Sequence, residues 1–296
     1  MNNFDRIIEN ICSELKINLT FTSDNWVKVL EKDNKVRYIN GYKFDLNNHG
    51  VGNIIDDKGL FYDICKIKKI PIIDHYVIFK NYDKEKVMEY FHKNNDLLIV
   101  KGNLGTCGKE VFRVSNKMNL FKIIDNLFLN QYSISLCPYY NIKNEYRTIY
   151  LNKELRFIYG KERPFVIGDG IHDINELAIQ YNDYYRDNKI DSNYLPQKGE
   201  KVILNFQFNL SRGAKMFIDI DDDLKKRIIS LSKDVIDKLD LNFVSVDIIH
   251  TTDDKLLVME TNSGVMMDNF IRFNNDKISD IYNLYCDAIK LMFKEK

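Results

Sequence analysis

A carboxylate in the middle of an apolar strand is costly unless a cation or a hydrogen-bonding partner meets it. Asp247 stands in such a place, within Val244-Ser245-Val246-Asp247-Ile248-Ile249. Glu260 and Asn262 end the next apolar stretch and stand two residues apart, so on a strand they share a face. Pairing of His250 with Lys255 across a four-residue loop puts Asp247 opposite Val258, on the face of Glu260 and Asn262. Two carboxylates and an amide then converge. Hard oxygen donors of this kind, completed by water and phosphate, suit Mg²⁺. The competing reading, a solvated hairpin face, leaves the interruption of apolar runs unexplained.

A second group of residues could bind phosphate. Gly102 to Lys109 (GNLGTCGK) joins two apolar stretches, and glycines such as Gly105 and Gly108 let backbone N–H groups approach phosphate oxygens. The spacing is one residue too long for a Walker A loop, Glu110 stands where Ser or Thr is required, and no helix follows. Taken alone, the turn reads better as a loose hairpin. Lys101 sharpens it, because a lysine ending a buried strand (LLIVK) calls for an anionic partner. Lys58, taken by itself, reads as a surface lysine.

The elements that must position these groups follow from periodicity. Helical spacing is predicted over 4–16, 57–68, 119–129, 222–239 and 278–293. Strands are predicted over 97–101, 111–115 and 132–137. Hairpins are predicted around Asp33-Asn34, around Asn152-Lys153 and at the final pair, 244–249 with 256–261. The polar stretch 171–201 reads as a helix plus loop. Helices mixed with mainly antiparallel pairs make the class α+β, not a doubly wound parallel sheet.

Composition narrows the partners. Lys plus Arg and Asp plus Glu both number 43, so no net charge draws the chain toward nucleic acid or an anionic membrane. The five cysteines are scattered without a C-x-x-C pair, which argues for a reducing compartment and against a zinc ribbon. With no signal-like segment at the start and no membrane-length apolar run, a cytoplasmic location is expected.

Taken in order, the motifs resemble the ATP-grasp superfamily. They are Asp57-Lys58, Ile99-Val100-Lys101 with the glycine turn, Glu145-Tyr146-Arg147, Lys161 to Gly170, Asn209-Leu210-Ser211-Arg212-Gly213, Val246-Asp247 and Glu260-Thr261-Asn262-Ser263. Arg163 to Leu177 and the Asn-Leu-Ser-Arg-Gly stretch look like the ATP-grasp portions of cyanophycin synthetase and of glutathione synthetases. The resemblance covers roughly positions 50 to 275. It implies two α+β sub-domains, 56–135 and 136–296, clasping ATP behind a reduced N-terminal region, 1–55. It implies an amide-forming carbon–nitrogen ligase that works through an acyl phosphate, with ATP and Mg²⁺ as cofactors.

The same resemblance implies residue roles. Lys58 and Lys101 would contact phosphates, with Gly105 and Gly108 in the turn over them. Cys137, Pro138 and Tyr140 would form the adenine hinge, and Glu145 would hold the ribose. Asp247, Glu260 and Asn262 would bind Mg²⁺. Arg147, Lys161, Arg163 and Arg212 would surround the γ-phosphate and the acyl phosphate. The implied partners are small-molecule carboxylate and amine substrates, amino acids or peptides, with no nucleic acid and no membrane; a homo-oligomer is admitted. The alternatives are a phosphotransferase and a non-catalytic nucleotide-binding module. Two departures stand out: the N-terminal region is short, and the E-x-N-x-x-P-G ending of the family lacks its proline here.

Overall fold

A computed structural model of the chain describes residues 2–105, 108 and 110–294. Thr106, Cys107 and Lys109 of the glycine turn lie outside the described residues.

The chain begins as a helix on a meander. Helix α1 (Asn3–Glu14) starts at Asn2, whose side chain accepts from the Asp5 N–H, and it buries Phe4, Ile7, Ile8 and Ile11. Strands β1 (Asn18–Phe21), β2 (Val27–Lys32), β3 (Lys35–Asn40) and β4 (Lys43–Phe44) pair antiparallel in sequence order. The expected turn between β2 and β3 is present: Asp33 and Asn34 both take positive φ, as a two-residue hairpin turn demands. Helices α2 (His49–Asp56) and α3 (Lys58–Ile67) follow, with Asp57 capping α3 through the Leu60 N–H.

A four-stranded sheet comes next. Its elements are β5 (Tyr76–Phe79), α4 (Lys84–Lys93), β6 (Leu98–Gly102), β7 (Val111–Val114), α5 (Lys117–Leu127) and β8 (Ser133–Pro138). The strands lie antiparallel in the order β5-β8-β6-β7. Ile78, Leu98, Val100, Ile134 and Leu136 face the helices and pack with Val87, Phe91, Leu120 and Ile124. The alternate residues Ile99, Lys101, Ser135 and Cys137 occupy the other face, where His75 Nδ1 lies 3.2 Å from Cys137 Sγ. β5 and α4 go beyond the elements expected from the sequence: four residues are too few to display alternation, and α4 buries only Val87 and Phe91.

The rest of the chain forms a five-stranded antiparallel sheet and its covers. It comprises β9 (Ile142–Leu151), β10 (Glu154–Glu162), β11 (Phe165–Ile167), α6 (Ile174–Tyr181), α7 (Tyr184–Asp187), β12 (Lys201–Ile203) and β13 (Lys215–Phe217). Then come α8 (Asp222–Leu239), β14 (Phe243–Thr251), β15 (Leu256–Asn262), α9 (Asp268–Phe273) and α10 (Ile278–Phe293). The main order is β13-β10-β9-β14-β15, with β11 and β12 paired apart. One face packs Tyr146, Tyr150, Val244, Val246 and Ile248 on Ile228, Val235 and Ile236 of α8. At one end, the other face packs Ile149, Leu151, Tyr159 and Phe243 against Phe4, Phe44 and Tyr285. Further along, that same face carries Glu145, Arg147 and Asp247. The class is α+β, as expected from the sequence.

The last hairpin is in a different register from the expected one. Lys255 closes on Thr251, not His250: the Thr251 N–H donates to Lys255 O (2.9 Å) and the Lys255 N–H to Thr251 Oγ1 (3.0 Å). His250 therefore pairs with Leu256. A one-residue slip alone would send Glu260 and Asn262 to the opposite face from Asp247. A bulge at Met259 reverses it, so Asp247 lies directly opposite Glu260 and not Val258.

Candidate active site

The site is built from a row of side chains across the five-stranded sheet. Register places Glu260, Asp247, Arg147 and Tyr159 side by side on β15, β14, β9 and β10. Asp247 is fully buried. Arg147 grips it with two bonds, Nε to Oδ1 at 2.8 Å and Nη2 to Oδ2 at 2.5 Å. Lys161, also buried, donates to Asp247 Oδ1 at 3.1 Å and to Glu145 Oε1. Burial pushes the Asp247 carboxyl up, but Arg147 and Lys161 outweigh it and hold the group at about 2. Glu145 is hydrogen-bonded to one cation, Lys161, among the described residues. Burial dominates there and pushes it up to about 7.

Asn262 completes the row at its end. Its Nδ2 donates to Glu260 Oε1 at 3.3 Å and lies 3.5 Å from Asp247 Oδ2. Turning the amide end for end, which exchanges its Oδ1 and Nδ2, puts the oxygen in that position. The donor set is then two carboxylates and an amide oxygen, which fits Mg²⁺. Arg147 and Lys161 use only part of the acceptor capacity of Asp247, since an ionised carboxylate offers about four lone-pair directions.

Helix α3 and the four-stranded sheet each supply a buried lysine. Lys58, the first residue of α3, is buried, and its Nζ donates to the carbonyls of Asn103 (3.2 Å) and Gly105 (2.6 Å). Burial lowers its pKa; Glu260 opposes that shift and Lys101 adds to it, so Lys58 is within electrostatic reach of both. Lys101 is buried on the cleft face of β6 and makes no hydrogen bond or ion pair among the described residues. Gly105 bonds back to Gly102 O. Gly108 has φ +65°, and a Cβ there would lie 2.7 Å from Asn209 Nδ2, so the turn meets the Asn209–Gly213 segment with no room for a side chain.

Cys137 lies on the cleft face of β8, which Pro138 ends. Tyr140 just beyond accepts a bond at its hydroxyl from the Asp74 N–H (3.0 Å). Arg163 and Arg212 sit apart from the Asp247 row: the Arg163 guanidinium lies over the Phe208 ring, and Arg212 Nη1 donates to Gln207 Oε1 at 3.0 Å. Arg163 Nε is buried without a partner among the described residues. Asn209 caps the short turn that presents Arg212, and Gly213 leaves it at φ +89°.

No protein-family model and no curated protein sequence matches the chain. Solved structures do. D-alanine–D-alanine ligase from Bacillus anthracis superposes with TM-score 0.58 at 17% identity, over 82% of this chain and 68% of that one. The same ligase complexed with ATP gives TM-score 0.57 at 15% identity, over 83% and 69%. A bifunctional glutathione synthetase from Pasteurella multocida gives 0.54 at 15% identity, over 95% of this chain but 44% of its own length. The chain has the ATP-grasp fold. Of the expected residues, Arg147, Lys161, Glu145, Asp247, Glu260 and Asn262 form one continuous network. The sequence did not point to His75, whose Nδ1 lies 2.6 Å from Ser135 Oγ on β8.

Proposed function

We propose that this chain is an ATP-dependent ligase that joins the carboxyl group of an amino acid or small peptide to an amine, releasing ADP and phosphate. The observation that carries the reading is a pair of buried lysines, Lys58 and Lys101, near each other, with Lys58 within electrostatic reach of Glu260 in the carboxylate–amide row of Asp247, Glu260 and Asn262. Cations facing hard oxygen donors are what a metal–nucleotide complex requires. The likeness to ligases of amino acids, one of them complexed with ATP, supports it.

In this reading Lys58 and Lys101 bind the phosphate chain, and Gly105 and Gly108 keep the adjoining backbone close to it. The backbone at Cys137, Pro138 and Tyr140 takes the adenine edge, and Glu145 takes the ribose hydroxyls. Asp247, Glu260 and Asn262 would hold Mg²⁺, which when bound neutralises charge on the phosphate oxygens. The γ-phosphoryl passes to a carboxylate oxygen of the substrate as its bond to ADP breaks. The amine nitrogen, having shed a proton, then forms the C–N bond as phosphate leaves. Arg147, Arg163 and Arg212 stabilise charge on the transferring phosphoryl and on the tetrahedral oxyanion. Lys161, enclosed between Glu145 and Asp247, holds those carboxylates in place. The N-terminal region, 1–55, and the units 56–135 and 136–296 remain our proposed division.

The test is product identity. Purified protein with ATP, Mg²⁺ and paired amino acids or dipeptides should yield ADP, phosphate and an amide detected by mass. Hydroxylamine in place of the amine should trap the activated acyl group as a hydroxamate. AMP and pyrophosphate would exclude the acyl-phosphate route. A phosphorylated acceptor would make the protein a phosphotransferase, and nucleotide binding without turnover would make it a binding module.

A further inference from the structure

Gln207 has no role above beyond its bond to Arg212, yet its amide joins two parts of the site. Arg212 Nη1 donates to Gln207 Oε1 at 3.0 Å, and among the described residues nothing else accepts from that guanidinium. The other end of the amide, Nε2, lies 3.5 Å from the carbonyl oxygen of Val111. Val111 opens β7, the strand that returns from the glycine turn. A guanidinium only donates and a carbonyl only accepts. The two partners therefore fix which end of the amide is oxygen and which is nitrogen, and the reverse orientation satisfies neither.

The next two residues reinforce the junction. Asn209 Oδ1 accepts from the Ser211 N–H (2.9 Å) and hydroxyl (2.7 Å). Its Nδ2 meets the turn, 2.7 Å from where a Cβ on Gly108 would lie, and Gln207 Oε1 is 3.6 Å from the same point. Phe208 between them is buried against the Arg163 guanidinium. Three consecutive residues thus touch the glycine turn, the strand behind it and both arginines.

We infer that Gln207 is a positioning residue for phosphoryl transfer: its amide aims Arg212 and ties that aim to the seat of the glycine turn. This rests on the ligase reading above, in which Arg212 stabilises the transferring phosphoryl and the turn lies over the phosphates. An arginine side chain is long and loses rotamer freedom when it is held. A bond that holds it beforehand removes that cost from the reaction, which is how a preorganised cation gains its effect. The chemistry calls for an amide. Glutamate would accept from Arg212 but has no N–H for Val111, and methionine fills the same length with neither group.

The experiment is a double-mutant cycle on Gln207→Met and Arg212→Ala. The rate is that of ADP release with saturating Mg²⁺-ATP, a carboxylate substrate and hydroxylamine. Gln207→Met alone should lower this rate about tenfold, the worth of about one hydrogen bond, with Mg²⁺-ATP affinity by calorimetry little changed. In the Arg212→Ala background the same substitution should have almost no effect, because nothing is left to aim. Losses that multiply would mean that Gln207 acts independently of Arg212, which overturns the inference. A second readout needs no turnover. Without nucleotide, Gln207→Met should speed deuterium uptake in β7 and leave β8 as it was, since only the edge strand loses a tie. Unchanged uptake in β7 overturns the link to the turn. Gln207→Asn, too short by one methylene to span both partners, should match Gln207→Met and serves if the latter does not fold. A wild-type chain that releases no ADP removes the ligase reading itself, whereas the uptake comparison still decides whether the tie exists.

Discussion

Arg147 meets Asp247 with two parallel N–H···O bonds, the geometry a guanidinium offers and a lysine does not. That grip, with Lys161 on the same oxygen as Nε, is what lets an ionised carboxylate sit in a fully buried strand. Asp247→Asn keeps the shape but leaves Arg147 and Lys161 without their counter-charge. Breaking one partner out of a buried pair costs about 3–5 kcal/mol. We expect urea unfolding of Asp247→Asn to show a loss of that size, together with loss of amide formation; an unchanged midpoint would mean that the cations find other partners. The need for a partner at Asp247 was legible in the sequence, because a charge interrupts an apolar run. The partner's identity was not: Arg147 and Lys161 lie 100 and 86 residues away, and only strand order brings them alongside.

Among the elements, hairpins announced by turn residues were the most legible. Asp33-Asn34 and Asn152-Lys153 both occupy positive-φ turns where the sequence placed them. The final hairpin was legible in kind but not in register, since a bulge at Met259 leaves no mark on alternation and still decides which acids face which. The β11–β12 pair, which flanks the polar stretch 171–201, was not legible, because three-residue strands carry no period. That small hairpin depends on Gly168, whose N–H donates to Glu200 O and whose carbonyl accepts from the Gly199 N–H, each at 2.8 Å. A Cβ at Gly168 would lie 2.2 Å from the Gln197 carbonyl oxygen, a backbone atom that cannot swing aside as a side chain can. Gly168→Ala should therefore destabilise the chain by about 1–3 kcal/mol, the usual cost of overpacking. Thermal melting will show it, and an unshifted melt would mean that the 196–200 segment yields freely.

Across the whole molecule, one sheet face serves two purposes. One end is closed by aromatic packing that draws on distant parts of the chain: Phe44 against Phe243 and Tyr285, and Phe4 against Tyr285. The other end carries the charged row. The sequence did not show that the first fifty residues seat on this sheet, because the residues that make the seat are apolar and carry no positional signal. Among the described residues no helix is long and apolar enough to cross a membrane. β14 lies at the centre of this arrangement, with all nine residues buried and a paired strand on either side. Amide protons in such a strand exchange with deuterium only when the entire fold opens, whereas edge strands exchange through local opening. Deuterium uptake at Val246 to Ile248 should accordingly be among the slowest in the chain and should follow global stability as denaturant is added. The half-exposed edge strand β7 should label far sooner. The carboxylate wall of the cleft is thereby set on the slowest clock in the molecule, and faster breathing is left to the sheet that carries the lysine.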